Sequence, residues 1–313
     1  MNLRTDIKAP IHPDVLLAPH STFKIGGPAR FFAEPQTTEE LSQTLEFRKQ
    51  EGLAVLVVGR GSNLLFSDYG YNGLVLSLRK LESERAVFLE DSRLRVPSGM
   101  GLFRLALLGQ QNSLGGTEFL CHIPGTVGGA VVMNAGFSRP GEQWHEIREI
   151  VESVTVMSLD GLTSVLTPEQ LGFGYRKSVL TGETIVLNAL LKLYPKPANK
   201  IEEEIKANFA YRDSVQDLRF PSGGSTFKNP AGHPLTSGQL LDRAGMKGFR
   251  SGGAMISERH ANFFINIDHA KANDVLKLMA VAKKRVLEQF GVTLEPEIRF
   301  VASGYEGACE CSE

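Results

Sequence analysis

The sequence predicts a fold that mixes helices and strands, divided among two or three domains, and three observations carry that expectation. A chain of 313 residues exceeds the usual size of one core. Helix-start signals recur: Thr37-Thr-Glu-Glu40 and Thr167-Pro-Glu-Gln170 both read as capping boxes, the second with proline at the first helical position. Short apolar, β-branched runs separated by glycine turns fill much of the rest. With 42% hydrophobic and 22% charged residues, the composition is that of a globular protein with a sizeable core.

Taken in order, residues up to about 78 read as a compact α/β unit. A helix should start at Thr37, run through Leu41, Leu45 and Phe47, and stop near Gly52. The run Leu53-Ala-Val-Leu-Val-Val58 is a buried strand, and Gly73-Leu-Val-Leu-Ser-Leu78 is another. From 81 to about 197 strands alternate with turns. Val87-Phe-Leu89 and Leu94-Arg-Val96 make a hairpin, residues 102–111 a helix, and 151–156 and 184–193 strands, with Asp160-Gly161 as a hairpin turn. Pro195-Lys-Pro197 and the charged stretch 199–206 mark a boundary. In the last part Val275, Leu278, Met279, Ala282, Val286 and Phe290 recur at helical spacing, Gly291 ends that helix, and residues 292–301 alternate as a strand.

The bulk charge narrows the function. With 34 basic and 35 acidic residues the net charge is -1, so no general attraction to nucleic acid or an anionic membrane is expected. Cys121, Cys309 and Cys311 are too few and too scattered for a disulfide framework, and Cys309-x-Cys311 has no second ligand pair for a metal. The histidines show no metal spacing either. The N-terminus lacks an apolar signal core, and no apolar run reaches the roughly 20 residues that span a bilayer. A cytoplasmic, reducing location is the expectation.

Several clusters have the makings of a site. Phe220-Pro-Ser-Gly-Gly-Ser-Thr-Phe-Lys-Asn-Pro230 is a loop-like run in which Ser225, Lys228 and Asn229 stand on a turn freed by Gly223 and Gly224 and closed by two prolines. Gly59-Arg-Gly-Ser-Asn63 follows a strand but lacks the third glycine of a dinucleotide fingerprint, Leu64 standing there, and lacks the lysine of a P-loop. It is either a nest of N–H groups for a phosphate or a tight turn. Ile123-Pro-Gly-Thr-Val-Gly-Gly129, with Asn134-Ala-Gly136, is a second glycine cluster, suited to a ring or pyrophosphate or to close packing. Arg176, after Tyr175, either pairs with a surface carboxylate or offers a fixed cation to a substrate carboxylate or developing oxyanion. On the last strand alternation places Glu295, Glu297 and Arg299 on one face.

In this order, with Ile25-Gly-Gly-Pro-Ala29 ahead of them, these motifs resemble the UDP-N-acetylenolpyruvoylglucosamine reductase family, over about residues 21–301. The resemblance implies a two-subdomain FAD-binding region of the vanillyl-alcohol-oxidase (PCMH) type, 1–78 and 79–198, a C-terminal α+β substrate-binding domain, 199–301, and a tail, 302–313, outside the family pattern. It is similar to the short subclass, which lacks a substrate-covering tyrosine loop, on Gly245-Met-Lys-Gly-Phe-Arg-Ser-Gly-Gly253 and His260-Ala-Asn-Phe263. Gly223 departs from a commonly seen alanine.

The family transfers a hydride from NADPH to non-covalent FAD, and from reduced flavin to the enolpyruvyl β-carbon of UDP-N-acetylglucosamine enolpyruvate, leaving an enol to be protonated. By resemblance, Ser225 donates that proton, while Arg176 and a protonated Glu297 stabilise the enol. The cofactor contacts implied are Gly59, Arg60, Gly61, Ser62, Asn63, Leu64, Pro124, Gly125, Thr126, Gly128, Gly129, Ala130, Asn134 and Gly136. Tyr175, Lys228, Asn229, Gln239 and Arg243 are implied for substrate. No metal, nucleic acid or membrane insertion is implied. The alternatives are another FAD-dependent oxidoreductase or oxidase of the same fold, and, further off, a nucleotide-binding protein or a serine hydrolase built on Ser225, for which no histidine base is placed.

Overall fold

The computed structural model describes residues 10–81, 85–180, 182–302 and 305–307. The first nine residues and the tail carrying Cys309 and Cys311 lie outside them. Two compact units emerge, neither continuous in sequence. The first comprises Met1–Pro13, Phe31–Arg60 and Leu74–Arg212, and the second Asp14–Arg30, Gly61–Gly73 and Asp213–Glu313.

In the first unit the helix Thr38–Gln50 begins as expected. The Thr37 hydroxyl accepts the Glu40 N–H at 3.2 Å, and the Glu40 carboxylate accepts the Gln36 N–H at 2.7 Å. Leu41 and Leu45 enter a core with Leu53, Leu74, Leu76 and Leu78. The strand Val55–Val58 pairs in parallel with Tyr71–Ser77, Val55 opposite Leu74 and Val58 opposite Ser77.

The larger part of this unit is a five-stranded antiparallel sheet, ordered Thr163–Leu166, Val151–Ser158, Thr184–Lys192, Arg93–Pro97, Val87–Leu89. Both expected hairpins are present, the second turning at Gly161 with φ 83°. The helices Leu102–Gln111 and Val127–Val132 cover the sheet. Their Leu102, Leu105, Val127, Ala130 and Val131 pack with Val96, Val154, Val186 and Leu191. The Thr167 capping box forms, its N–H reaching Gln170 Oε1 at 2.9 Å. A helix that no sequence pattern announced, Ala198–Val215, follows Pro197; the chain enters the second unit at Asp213, in its last turn.

The second unit is a four-stranded sheet, ordered Ser222–Ser225, Phe263–Asn266, Ala254–Ile256, Arg250–Ser251, with the helices Ser237–Arg243 and Ala272–Phe290. Val275, Leu278, Met279, Ala282 and Val286 point into its core as their spacing predicts, and Gly291 closes the helix at φ 67°. Phe23 and Ile25, remote in sequence, enter the same core. The strand Leu64–Phe66 pairs in parallel with Arg299–Ala302.

One element differs from expectation. Residues 292–301 are not one strand: regular pairing begins at Arg299, and Pro296 makes a single bridge to Phe227. Leu294 and Ile298 are buried as alternation requires, but Phe300, expected on the same face, is half-buried, and Val301, of the opposite parity, is buried. Pro296 has no N–H to give to a ladder, so regular pairing cannot run through it. No helix among the described residues is long and apolar enough to cross a membrane.

Candidate active site

Within the first unit the structure brings the two glycine loops together. A Cβ on Gly59 would lie 2.4 Å from Thr126 Oγ1, so only glycine lets the strand end lie against the second loop. Thr126 caps the helix Val127–Val132, its hydroxyl accepting the Gly129 N–H at 3.4 Å. Gly128 is pressed on Ser98, where a Cβ would come within 2.9 Å, and its N–H binds the Ser98 carbonyl. Gly129 differs. It is exposed, and a Cβ there would meet only Thr126 Oγ1, at 3.5 Å.

Packing therefore requires Gly59 and Gly128, whereas Gly129 faces open space; Pro124 and Arg60 are exposed as well. The Ser98 hydroxyl is buried there without a hydrogen-bond partner among the described residues. An orphaned donor beside a low-relief, glycine-lined surface fits a phosphate-bearing planar cofactor such as FAD. Gly125 gives its carbonyl to Leu102 N–H, and Ala130 is a core residue. The motif itself is divided: Gly61, Ser62, Asn63 and Leu64 belong to the second unit, where Gly61 lies so close to the His20 carbonyl that a Cβ would come within 2.3 Å.

Arg176 occupies a tight turn of the first unit. Gly174 and Lys177 exchange backbone hydrogen bonds at 3.0 and 3.2 Å, leaving Tyr175 and Arg176 at the tip. Arg176 has φ 55°, a left-handed conformation that costs a non-glycine residue of order 1–3 kcal/mol. Its Nη1 donates to the Gly136 carbonyl at 3.1 Å, and its guanidinium lies over the Trp144 and Tyr175 rings, 5.2 and 5.6 Å from their centroids. Asn134 is wholly buried, and its side chain is engaged within the protein. Nδ2 donates to Glu146 Oε2 at 2.9 Å and to the Gly174 carbonyl at 3.0 Å, while Oδ1 accepts the Arg148 N–H at 3.3 Å. Asn134 and Gly136 thus hold the arginine turn.

In the second unit Ser225 ends a bulged strand. Ser222 pairs with Ile265 and Ser225 with Phe263, and between them Gly224 takes φ 77° with open space where a Cβ would stand. The expected free turn at 220–230 is therefore in part a sheet strand. The half-buried Ser225 hydroxyl makes no hydrogen bond among the described residues. The next residue, Thr226, accepts the Glu297 N–H on its carbonyl at 2.8 Å, and Lys228 N–H reaches the Glu295 carbonyl at 2.9 Å. Asn63 completes the arrangement: its Nδ2 donates to the Glu297 carbonyl at 3.0 Å, and its carbonyl accepts Arg299 N–H at 2.9 Å. The Asn63 amide, expected to face a phosphate, fixes the glutamate segment.

The implied substrate residues divide by role. Lys228 is ion-paired with Glu295. Asn229 Oδ1 accepts the Ser237 N–H at 3.1 Å, and Gln239 Oε1 accepts the Thr236 N–H at 2.9 Å in a capping box. Both shape the helix Ser237–Arg243 through their side-chain oxygens. Arg243 is exposed at the end of that helix.

Sequence reasoning passed over Trp144 and Glu146, to which the Pro140-Gly141 dipeptide, a turn signal, and the chain's single tryptophan pointed. Asn262 stood inside the His260-Ala-Asn-Phe263 motif, but with no role given to it.

Residues 29–167 match the family model described as FAD binding domain, and residues 216–301 match that of UDP-N-acetylenolpyruvoylglucosamine reductase, C-terminal domain. The chain is 40% identical over 288 residues to the UDP-N-acetylenolpyruvoylglucosamine reductase of Pelobacter propionicus, covering 92% of this chain and 94% of that one. It is 38% identical over 302 residues to that of Moorella thermoacetica, covering 96% and 97%. The crystal structure of the reductase from Thermus caldophilus superposes with a TM-score of 0.76 at 36% identity, over 93% of this chain and 99% of that one. The chain belongs to the UDP-N-acetylenolpyruvoylglucosamine reductase family.

Proposed function

We propose that the chain carries out the NADPH-dependent, FAD-mediated reduction of UDP-N-acetylglucosamine enolpyruvate to UDP-N-acetylmuramate, a step of peptidoglycan synthesis, in the cytoplasm. Residues 1–78 and 79–198 then serve the cofactor, and 199–301 the nucleotide sugar. FAD, when bound, relays a hydride from NADPH to the enolpyruvyl β-carbon. The Gly59 and Gly129 loops would hold it, with Ser98 supplying a donor.

The protein residues handle charge and proton. Arg176 supplies fixed positive charge where negative charge develops beside the substrate carboxylate. Glu297, carrying a proton, adds a hydrogen bond to the enol oxygen. The Ser225 hydroxyl delivers its proton from Oγ to the α-carbon, which is then a far stronger base than serine's oxygen. Asn229 and Gln239 offer amide N–H groups, and Tyr175 and Arg243 exposed surface, to the nucleotide sugar.

One observation carries this assignment within the second unit: the 2.8 Å hydrogen bond from Glu297 N–H to the Thr226 carbonyl sets the proposed enol partner in fixed register with the residue after Ser225. The test is Ser225→Ala followed anaerobically. Bleaching of bound flavin by NADPH should proceed normally, while turnover on the enolpyruvyl substrate falls by roughly 10²–10⁴, the usual contribution of a positioned general acid. Near-normal turnover would remove Ser225 from the proton-donor role. Flavin that NADPH cannot bleach, or that the substrate cannot reoxidise in the wild type, would overturn the whole assignment.

A further inference from the structure

We infer that Trp144 is a positioning residue for Arg176, its indole holding the guanidinium where the enol forms; this rests on the role proposed for Arg176 above. The pieces all lie in the first unit. Residues Gly136–Phe137 and His145–Glu146 pair as a short antiparallel hairpin, and Trp144 sits at the end of its loop. That loop is stiff at its tip. Glu142 N–H binds the Arg139 carbonyl at 3.1 Å around Pro140 and Gly141, and Arg139 makes a two-point ion pair with Glu142 at 2.9 and 2.6 Å.

Trp144 is 40% exposed. Its indole lies close against Gly136, where a Cβ would come within 3.1 Å of Nε1. Two further contacts hold it. Nε1 donates to Glu146 Oε1 at 3.2 Å, and the ring lies under the Arg176 guanidinium. Glu146 is itself buried and anchored, accepting Asn134 Nδ2 at 2.9 Å and Arg148 Nε at 2.8 Å.

The chemistry of this arrangement is particular. A guanidinium held over an aromatic face is attracted by the ring without a hydrogen bond. Its Nη1 is fixed by the Gly136 carbonyl. The ring contacts therefore limit the swing of a long side chain on a strained turn. An anion that develops at one point gains from a donor already aimed there.

The experiment uses the FAD-loaded enzyme and anaerobic stopped flow, in Trp144→Phe, Trp144→Leu and Arg176→Met. Trp144→Leu keeps an apolar side chain but has no ring. It should slow flavin reoxidation by UDP-N-acetylglucosamine enolpyruvate by about tenfold, with flavin reduction by NADPH unchanged, as expected for loss of one cation–π contact. Trp144→Phe should restore the rate to within about threefold, because the ring face is kept. Equal rates in the Leu and Phe variants, or equal slowing of both half-reactions, would overturn the inference. Normal reoxidation in Arg176→Met sinks the role of Arg176 itself; slow reoxidation there beside a normal Trp144→Leu sinks only the role of Trp144. Fluorescence keeps the contact testable should a Trp144 variant not fold. The emission of the sole tryptophan should differ between wild-type and Arg176→Met holoenzyme, and identical spectra would count against the stack.

Discussion

Asn262 closes both backbone hydrogen bonds of Phe227. Its Nδ2 donates to the Phe227 carbonyl at 2.8 Å, its Oδ1 accepts the Phe227 N–H at 2.9 Å, and its own carbonyl accepts the Thr226 N–H at 2.8 Å. Asn262 is 3% exposed, so nothing in water replaces these bonds. Through Thr226 the clamp reaches Glu297, and through the chain it reaches Ser225. Asn262→Leu leaves a buried N–H and a buried carbonyl unmet, which costs about 1–3 kcal/mol for each group. A large fall in Tm is the expected result. Asn262→Asp keeps the acceptor and loses the donor, and should fold. Its reoxidation by the enolpyruvyl substrate should slow while flavin reduction by NADPH does not; equal slowing would show a general loss of structure instead.

Gly223 explains its own departure from alanine. A Cβ there would lie 2.5 Å from the Phe23 ring and 3.2 Å from Ile298. Phe23 is fully buried and cannot swing away cheaply. Overpacking of this kind costs about 1–3 kcal/mol. Gly223→Ala should lower the denaturation midpoint accordingly, and Phe23→Leu in the same chain should recover part of the loss. Additive penalties in the double variant would show that the two sites do not compete for space.

The Asp217 carboxylate makes stability depend on acid. Arg219 donates to it twice, at 2.9 and 3.1 Å, and the Ser257 hydroxyl donates at 3.2 Å. These hydrogen bonds hold its pKa below the ordinary 3.8, against the opposing effect of burial. A carboxylate depressed in the folded state stabilises fully above its unfolded pKa, and that contribution is lost as pH falls below it. Asp217→Asn should therefore cost about 1.5–3 kcal/mol between pH 5 and 8, the worth of hydrogen bonds to a charged group. The gap to wild type in Tm should narrow below about pH 4. A gap that widens in acid would reverse the sign and refute the assignment.

How far the sequence disclosed this molecule depends on the reach of each pattern. Thr37, Thr167, Gly161 and Gly291 act within four residues, and each does in the structure what local chemistry predicts. The helix Ala198–Val215 escaped notice because only Ile201, Ile205 and Asn208 are buried, too few for an apolar stripe. Alternation over 292–301 predicts one strand, but the partners of 292–298, Asn63 and Thr226, are remote in sequence and Pro296 blocks a ladder. The site shows the same division. The sequence offered Asn63 and Asn134 as hydrogen-bonding groups of two glycine loops; that their amides also hold the glutamate segment and the arginine turn depends on tertiary contacts.

Lys196 supports a last prediction, in the first unit. Its ammonium lies 2.9 Å from Glu118 and 2.7 Å from Glu204, and the side chains of Lys196 and Glu118 are 16% and 6% exposed. Burial works against the charge on Lys196, but hydrogen bonds to Glu204 and Glu118 outweigh it and push the pKa up to about 12 from an ordinary 10.5. Lys196→Met would leave the Glu118 carboxylate buried without its counter-ion, which costs about 3–5 kcal/mol. Glu118→Gln added to Lys196→Met removes that stranded charge, so the double variant should be more stable than the single one in urea denaturation. A raised lysine pKa contributes stability in full below the unfolded value and loses it as pH climbs through the folded one. The advantage of wild type over Lys196→Met should accordingly hold from neutral pH to about pH 10 and shrink above it. A double variant less stable than the single would show that the lysine, not the stranded carboxylate, determines the loss.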